Sequence, residues 1–296
     1  MGKDLAEAFP AAKDTFAAID DALGFALSTV MWEGPDDLLI RTDHAQPAIL
    51  AHSAAVWAVV GSRLAGKVAG AAGHSLGEYS AYVAAGALGA TVGAKLVRRR
   101  GELMHEAGAA RPGTMAAVLG FDAGRVAEIC AQASAQGGVV VAANLNEPSQ
   151  TVISGDPEAV ARAGEMLKAA GAKRVIGLKV SGAFHSPLMA PAHEGLARAL
   201  QAVAMKDPGF PVVANATAMP VKDALTAKAQ LTAQLINAVR WVDCVGALAR
   251  LAGGAPHFVE IGPGAVLTGL AKKILPGMTS TTLGTAAEVR AFLDAA

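Results

Sequence analysis

The chain has 296 residues, 53% of them apolar, with 25 basic and 25 acidic side chains that cancel. A balanced charge without an acidic or basic tail excludes bulk electrostatic binding of nucleic acid. The length accommodates one large domain or two smaller ones, each with a core of its own.

The amino terminus, MGKDLAEAFP, carries acidic residues and no apolar stretch, so it does not read as a secretory signal. Ala6 stands where a myristoylation motif requires Ser or Thr. No uncharged apolar run of about 18 residues predicts a membrane span. Residues 3–23 read as one helix with Leu5, Phe9, Phe16, Ile19 and Leu23 along a face. Residues 36–40 and 45–64 continue as helices, the second turning Ile49, Val56, Val59 and Val60 inward. No convincing strand precedes residue 68.

Residues 68–88, VAGAAGHSLGEYSAYVAAGAL, dominate the sequence. Gly73-His74-Ser75-Leu76-Gly77 matches G-x-S-x-G, the nucleophile elbow, in which a strand turns sharply into a helix and exposes a serine hydroxyl. The apolar run 68–72 is short enough for a buried strand, and 78–87 places Tyr79, Tyr82 and Val83 at helical spacing. The glycines on either side of Ser75 are expected to avoid a Cβ collision in the turn.

A helix over 91–107 carries Arg98-Arg99-Arg100, which cannot all face one way: two are expected in solvent and one can turn inward. Residues 114–120, 139–143, 151–154 and 173–180 read as strands, with helices at 122–136 and 156–170. Asp122 offers an N-cap, and Gly171 a stop. The order β-α-β-β-α-β over 114–180 predicts a ferredoxin-like unit inserted into an α/β domain formed by 1–113 and 181–296. Further on, 187–203, 223–236, 241–251 and 265–274 read as helices, and 211–215 and 257–261 as strands. Asn215-Ala216-Thr217 matches a glycosylation sequon that is without meaning in a cytoplasmic protein. Cys130 and Cys244 read as buried free thiols, as suits a reducing compartment.

A serine nucleophile needs a base, and there are seven histidines. His44, His52, His105 and His193 fall on helices, His74 points away from Ser75 in a regular elbow, and His257 opens a strand where it is expected to be packed. His185 lies in a loop at the predicted domain junction, before Pro187 opens a helix. From there it can overhang the elbow across a cleft.

GHSLGEYSA followed by GAFHS resembles the malonyl-CoA:acyl carrier protein transacylases of fatty-acid synthesis and the acyltransferase domains of polyketide synthases. The resemblance extends over nearly the whole chain, through Gln46-Pro47-Ala48, Arg100-Gly101, Gln234-Leu235 and Glu260-Ile261-Gly262-Pro263-Gly264. It implies an α/β-hydrolase-like parallel-sheet domain with an inserted ferredoxin-like subdomain. It also implies that Ser75 takes the malonyl group as an ester and His185 moves the protons, with the Gln234 backbone carbonyl orienting the histidine in place of a carboxylate. Arg100 would hold the malonyl carboxylate, with Gln46 lining the substrate site, and Phe184 would crowd an α-methyl branch and favour malonyl over methylmalonyl.

Leu76 N–H would supply one oxyanion donor. In the family a second comes from a glutamine in an F-P-G-Q-G-S-Q segment, whereas Met1 to Leu5 here align with the helix that follows it. The expectation is therefore a longer native chain or, otherwise, a truncated one of low activity that binds only carrier protein or coenzyme. No metal ion or cofactor is implied. The expected partners are malonyl-CoA and acyl carrier protein, met by a cytoplasmic monomer, with Arg98, Arg99, Lys272 and Lys273 as candidate basic contacts for an acidic carrier. Two enzymic alternatives remain at this point. One is the malonyl-transfer subunit of malonate decarboxylase. The other is a serine hydrolase, although that fold expects its histidine late in the chain.

Overall fold

A computed structural model describes residues 1–180 and 182–295. The chain begins with α1 (Lys3–Ala8) and α2 (Pro10–Leu23). The single helix predicted over 3–23 breaks at Phe9, which is extended at φ −134° and ψ 117°. Pro10 causes the break, since its ring disfavours helical geometry in the residue before it while suiting the first turn of the next helix. Next come α3 (Leu27–Glu33), which the sequence did not announce, α4 (Asp36–Leu39), α5 (Thr42–Leu64), α6 (Gly77–Ala84) and α7 (Ala90–Ala110).

Helix α5 is buried around most of its circumference, between α2, α6 and α7. Its crossing with α7 is close at Gly101, where a Cβ would lie 2.6 Å from Asp43 Cα and 2.7 Å from the Thr42 carbonyl. That approach sets Arg100, one residue earlier, against Gln46 on α5. Leu5, Phe16, Leu50, Tyr79, Tyr82, Leu196 and their neighbours form the main core. Each large side chain buried there contributes about 1.5–3 kcal/mol.

Then follow β1 (Thr114–Leu119), α8 (Ala123–Ala135), β2 (Val140–Glu147), β3 (Gln150–Gly155), α9 (Pro157–Ala169) and β4 (Arg174–Gly177). The four strands form one antiparallel sheet in the order β2-β3-β1-β4, with α8 and α9 packed on it over Val118, Val126, Ile153 and Leu167. The Asp122 side chain caps α8 by accepting from Arg125 N–H at 3.0 Å. The hairpin runs further than the strands expected at 139–143 and 151–154, leaving Pro148 and Ser149 between β2 and β3, and β4 is shorter than 173–180. Ser181, where the sequence places the return to the larger unit, lies outside the described residues.

A 3₁₀ turn (Pro187–Met189) leads into α10 (Ala190–Gln201), followed by β5 (Val212–Val213), β6 (Pro220–Val221), α11 (Ala224–Gln234) and α12 (Trp241–Ala252). The chain closes with β7 (His257–Ile261), α13 (Val266–Ile274), β8 (Thr279–Leu283) and α14 (Ala286–Asp294). Strands β7 and β8 pair in parallel, β5 and β6 antiparallel. The protein is thus α/β with mixed sheets.

The strand predicted at 68–72 is reduced to one parallel bridge, Ala71 with Val212. The Ala71 N–H donates to the Pro211 carbonyl at 2.9 Å and Val213 N–H to the Ala71 carbonyl at 2.8 Å. The ladder stops there because β5 is two residues long before the chain turns back into β6. A second parallel bridge, Asn144 with Val239, fastens β2 to the segment after α11. Among the described residues no helix is long and apolar enough to cross a membrane, and no three His, Cys, Asp or Glu side chains form a metal-sized cluster.

Candidate active site

Ser75 and His185 both have left-handed backbones, at φ 53° and 55°, a costly conformation for residues with a Cβ. The elbow is built around Gly73, where a Cβ would fall 1.9 Å from the Gly77 carbonyl oxygen. Gly77 itself has open space for a Cβ, so the steric demand expected on both sides of the serine exists on one side only.

Two amide side chains hold this strained turn. Ser75 N–H donates to Asn215 Oδ1 at 2.8 Å, and Asn215 Nδ2 donates to the Gly73 carbonyl at 2.8 Å. The Ser75 carbonyl accepts from Gln234 Nε2 at 2.8 Å. Asn215 is fully buried with both side-chain atoms engaged, so it is closed to glycosylation as well. Leu76 follows as the N-cap of α6, with its N–H beside the serine hydroxyl in sequence.

Ser75 Oγ lies 2.8 Å from His185 Nε2, and His185 Nδ1 lies 3.0 Å from the Gln234 backbone carbonyl. A carbonyl only accepts, so the ring proton sits on Nδ1 and Nε2 is left to accept from the serine. Burial, reinforced by the nearby Arg100 charge, pushes the His185 pKa down to about 3, and the imidazole is neutral at ordinary pH.

Of the three arginines, Arg100 turns inward and is 1% exposed. Its Nη1 donates to Gln46 Oε1 at 2.6 Å, and its Nη2 to Ser75 Oγ and Gln234 Oε1, both at 3.0 Å. The other two are not fully solvated as expected. Arg98 is half-buried and bridges Asp43 and Glu102, and Arg99 pairs with Glu102 and Glu106. Lys273 pairs with the buried Glu147 on β2. Three of the four candidate carrier contacts therefore already have acidic partners; Lys272 lies in the last turn of α13.

Ser75, Arg100, Gln46, Phe184 and His185 all line one cavity of about 530 Å³, within the size range of ligand sites. Phe184 packs against both the main core and the cluster of Met115, Ala117, Ala143 and Val152 under the four-stranded sheet. Ile40, Lys179 and Val180 stand at the cavity's edge. A hollow of about 220 Å³ between α9 and that sheet holds no serine, cysteine or histidine.

His105 also lines the cavity, and three other histidines have partners elsewhere. His74 Nε2 faces away to Asn146 Oδ1 at 2.8 Å, and His52 bonds the Gly284 carbonyl at 3.0 Å. His257 is exposed between Thr279 and Thr281, not packed as its strand position suggested. Sequence reasoning passed over Glu78 and treated Asn215 only as a sequon. Glu78 is fully buried, and its Oε2 accepts from Asn215 N–H at 2.9 Å and Gln234 Nε2 at 2.8 Å. A charged residue three places after Ser75, inside an apolar helix start, was the available signal.

The acyl transferase domain family matches residues 1–288. A malonyl CoA-acyl carrier protein transacylase from Bacillus subtilis is 45% identical over 279 residues, covering 93% of this chain and 86% of that protein. The crystal structure of an acyl carrier protein S-malonyltransferase from Vibrio cholerae superposes with a TM-score of 0.93 at 40% identity, over 99% of this chain and 94% of that one. A malonyl-transacylase solved with its type II polyketide acyl-carrier protein gives a TM-score of 0.92 at 40% identity, over 98% and 93%.

Proposed function

Since the chain belongs to the acyl transferase domain family, we propose that it moves the malonyl group from malonyl-CoA to the phosphopantetheine thiol of acyl carrier protein, in fatty-acid biosynthesis in the cytoplasm. The observation that carries this reading is Arg100, a buried guanidinium bonded to the hydroxyl of the serine that would be acylated. A hydrolase needs no such cation beside its nucleophile, whereas an acyl group that ends in a carboxylate does.

Ser75 Oγ attacks the thioester carbonyl as its proton passes to His185 Nε2, and the tetrahedral oxyanion faces Leu76 N–H. Collapse breaks the C–S bond, and the imidazolium returns the proton to the departing coenzyme A thiolate. The carrier thiol then repeats these steps in reverse order of roles, giving a ping-pong cycle through malonyl-Ser75. The Gln234 carbonyl keeps the imidazole in the right tautomer and stabilises its transient charge.

Arg100 receives the malonyl carboxylate through its fork, and Gln46 fixes the guanidinium from the other side. An acetyl group leaves that buried cation without a partner, which is the basis of selection. The bulk of Phe184 disfavours a methyl branch. The chain divides into residues 1–113 and 181–296 as the catalytic unit and 114–180 as a ferredoxin-like unit that roofs the cleft; the strand order β2-β3-β1-β4 supports this division.

Intact-mass measurement after mixing with malonyl-CoA tests the reading. A malonyl adduct is expected on the native chain and none on Ser75→Ala. With Arg100→Ala, the preference for malonyl over acetyl should fall by at least about tenfold, since each 1.4 kcal/mol of lost contact is a factor of ten. A native chain that stays unmodified would overturn it.

A further inference from the structure

Arg98 and Arg99 have carboxylate partners, but the hydrogen bonds of Arg100 all end on neutral oxygens, those of Gln46, Ser75 and Gln234. A fully buried guanidinium needs a compensating charge. The carboxylate that acts on it is Glu78, also fully buried. Gln234 connects the two. Its Oε1 accepts from Arg100 Nη2 at 3.0 Å, while its Nε2 donates to Glu78 Oε2 at 2.8 Å, so the amide dipole runs from cation to anion. Glu78 Oε1 has no hydrogen-bond partner.

We propose that Glu78 is the counter-charge of Arg100 in the empty site, and that it takes up a proton from solvent when a malonyl carboxylate reaches the guanidinium. This rests on the malonyl-transfer reading above. Two carboxylates and one buried cation would leave a net negative charge in a low-dielectric pocket; protonating one restores the balance. The step adds H⁺ to Oε1 and changes no other bond. An acetyl group brings no charge, so its loading leaves Glu78 as it was. Malonyl-over-acetyl selection is then pH-dependent, through a residue that never touches the acyl group.

The surroundings permit this. Burial pushes the Glu78 carboxyl up to about 7, opposed by donation from Asn215 and Gln234 and by the Arg100 charge on α7. Tyr79 and Tyr82 on its own helix and Cys244 on α12 sense its charge but are held neutral, each shifted upward chiefly by burial. The ionisable groups of α5 are engaged elsewhere, Asp43 and His44 with the Arg41 and Arg98 cluster, His52 with Gly284 and Arg63 with the carbonyl of Ala295. Asn215 and Gln234 carry no charge.

The test compares single-turnover acylation of Ser75 by malonyl-CoA and by acetyl-CoA, followed by intact mass between pH 6 and 8. The ratio of the two rate constants cancels limbs that both substrates share, including any from His185. With full coupling and a pKa near 7, the ratio should fall by about tenfold from pH 6 to pH 8. In Glu78→Gln, which keeps the shape and removes the charge, the ratio should be flat. A flat ratio in the native chain, or a slope that survives in Glu78→Gln, overturns the proposal.

A second measurement needs no variant. In weakly buffered indicator solution at pH 7.5, malonyl loading should take up protons in proportion to Ser75 acylated, and acetyl loading none. Equal proton uptake with the two substrates also overturns it. Failure of malonyl-Ser75 to form at all would instead strike at the malonyl-transfer reading itself.

Discussion

In the proposed mechanism His185 is a base whose ionisation has been moved out of the way. A solvated histidine titrates near 6.5, but burial first and Arg100 second hold this one down to about 3. Acylation by a neutral acyl group, read as kcat/KM with acetyl-CoA, should therefore show no break near pH 6.5 between pH 8 and 5.5. Arg100→Ala removes the second cause and leaves burial in place, so the His185 pKa should rise from about 3 while staying below 6.5, a shift read by NMR titration of the ring. An unchanged imidazole pKa in that variant would mean that Arg100 does not act on the ring. Ser75 was legible from its elbow motif and His185 from a loop at the predicted junction, whereas Arg100 was told apart from Arg98 and Arg99 only through the family resemblance. Glu78 and Asn215 were not. Their roles exist only through partners far along the chain, Asn215 meeting Ser75 across 140 positions and Gln234 meeting Glu78 across 156. No local pattern encodes such a contact.

At the scale of elements, the elbow places opposite demands on its two glycines. Gly73→Ala drives a methyl into the Gly77 carbonyl, and neither backbone segment can withdraw without moving Ser75. Gly77→Ala meets nothing within 4 Å and gains helix propensity at the first position of α6. Purified side by side, the first variant should lose the malonyl adduct and several degrees of thermal stability, and the second should retain both. Equal damage from the two would contradict the packing described. Periodicity and caps disclosed most helices to within a few residues, and Asp122 and Asp223 both cap where an aspartate before a helix should. Strands fared less well. The run at 68–72 is apolar enough for a ladder, but ladder length is decided by its neighbour, and β5 has only two residues. The α3 helix and the last β8-α14 unit were missed although Thr285 and Glu288 form a capping box, a signal present in the sequence.

For the molecule as a whole, buried ionisable groups set how stability depends on pH. His52, His74 and His185 are all lowered, chiefly by burial, with His52 at about 4. His52 and His185 are neutral when folded but protonate near 6.5 when unfolded, so their contribution is complete above pH 6.5 and is lost as pH falls toward 4 and below, and His74 acts in the same direction. Glu78 has the reverse sign. Its pKa is raised from 4.5 to about 7, so its contribution is complete below pH 4.5 and is lost as pH rises through 7. His52 and His185 together outweigh Glu78, each unmatched proton being worth about 1.4 kcal/mol per pH unit. Tm should therefore climb from pH 4.5 to about 6.5 and then level or dip. Glu78→Gln should climb more steeply and show no dip; calorimetry across that range checks both slopes. Finally, Gln234 stands at the last residue of α11, where it touches the serine carbonyl, the imidazole and the arginine. One residue thus joins all three, as a common mount. A displacement of that helix would therefore reach all three at once, so the order of the site rests on a single point of attachment.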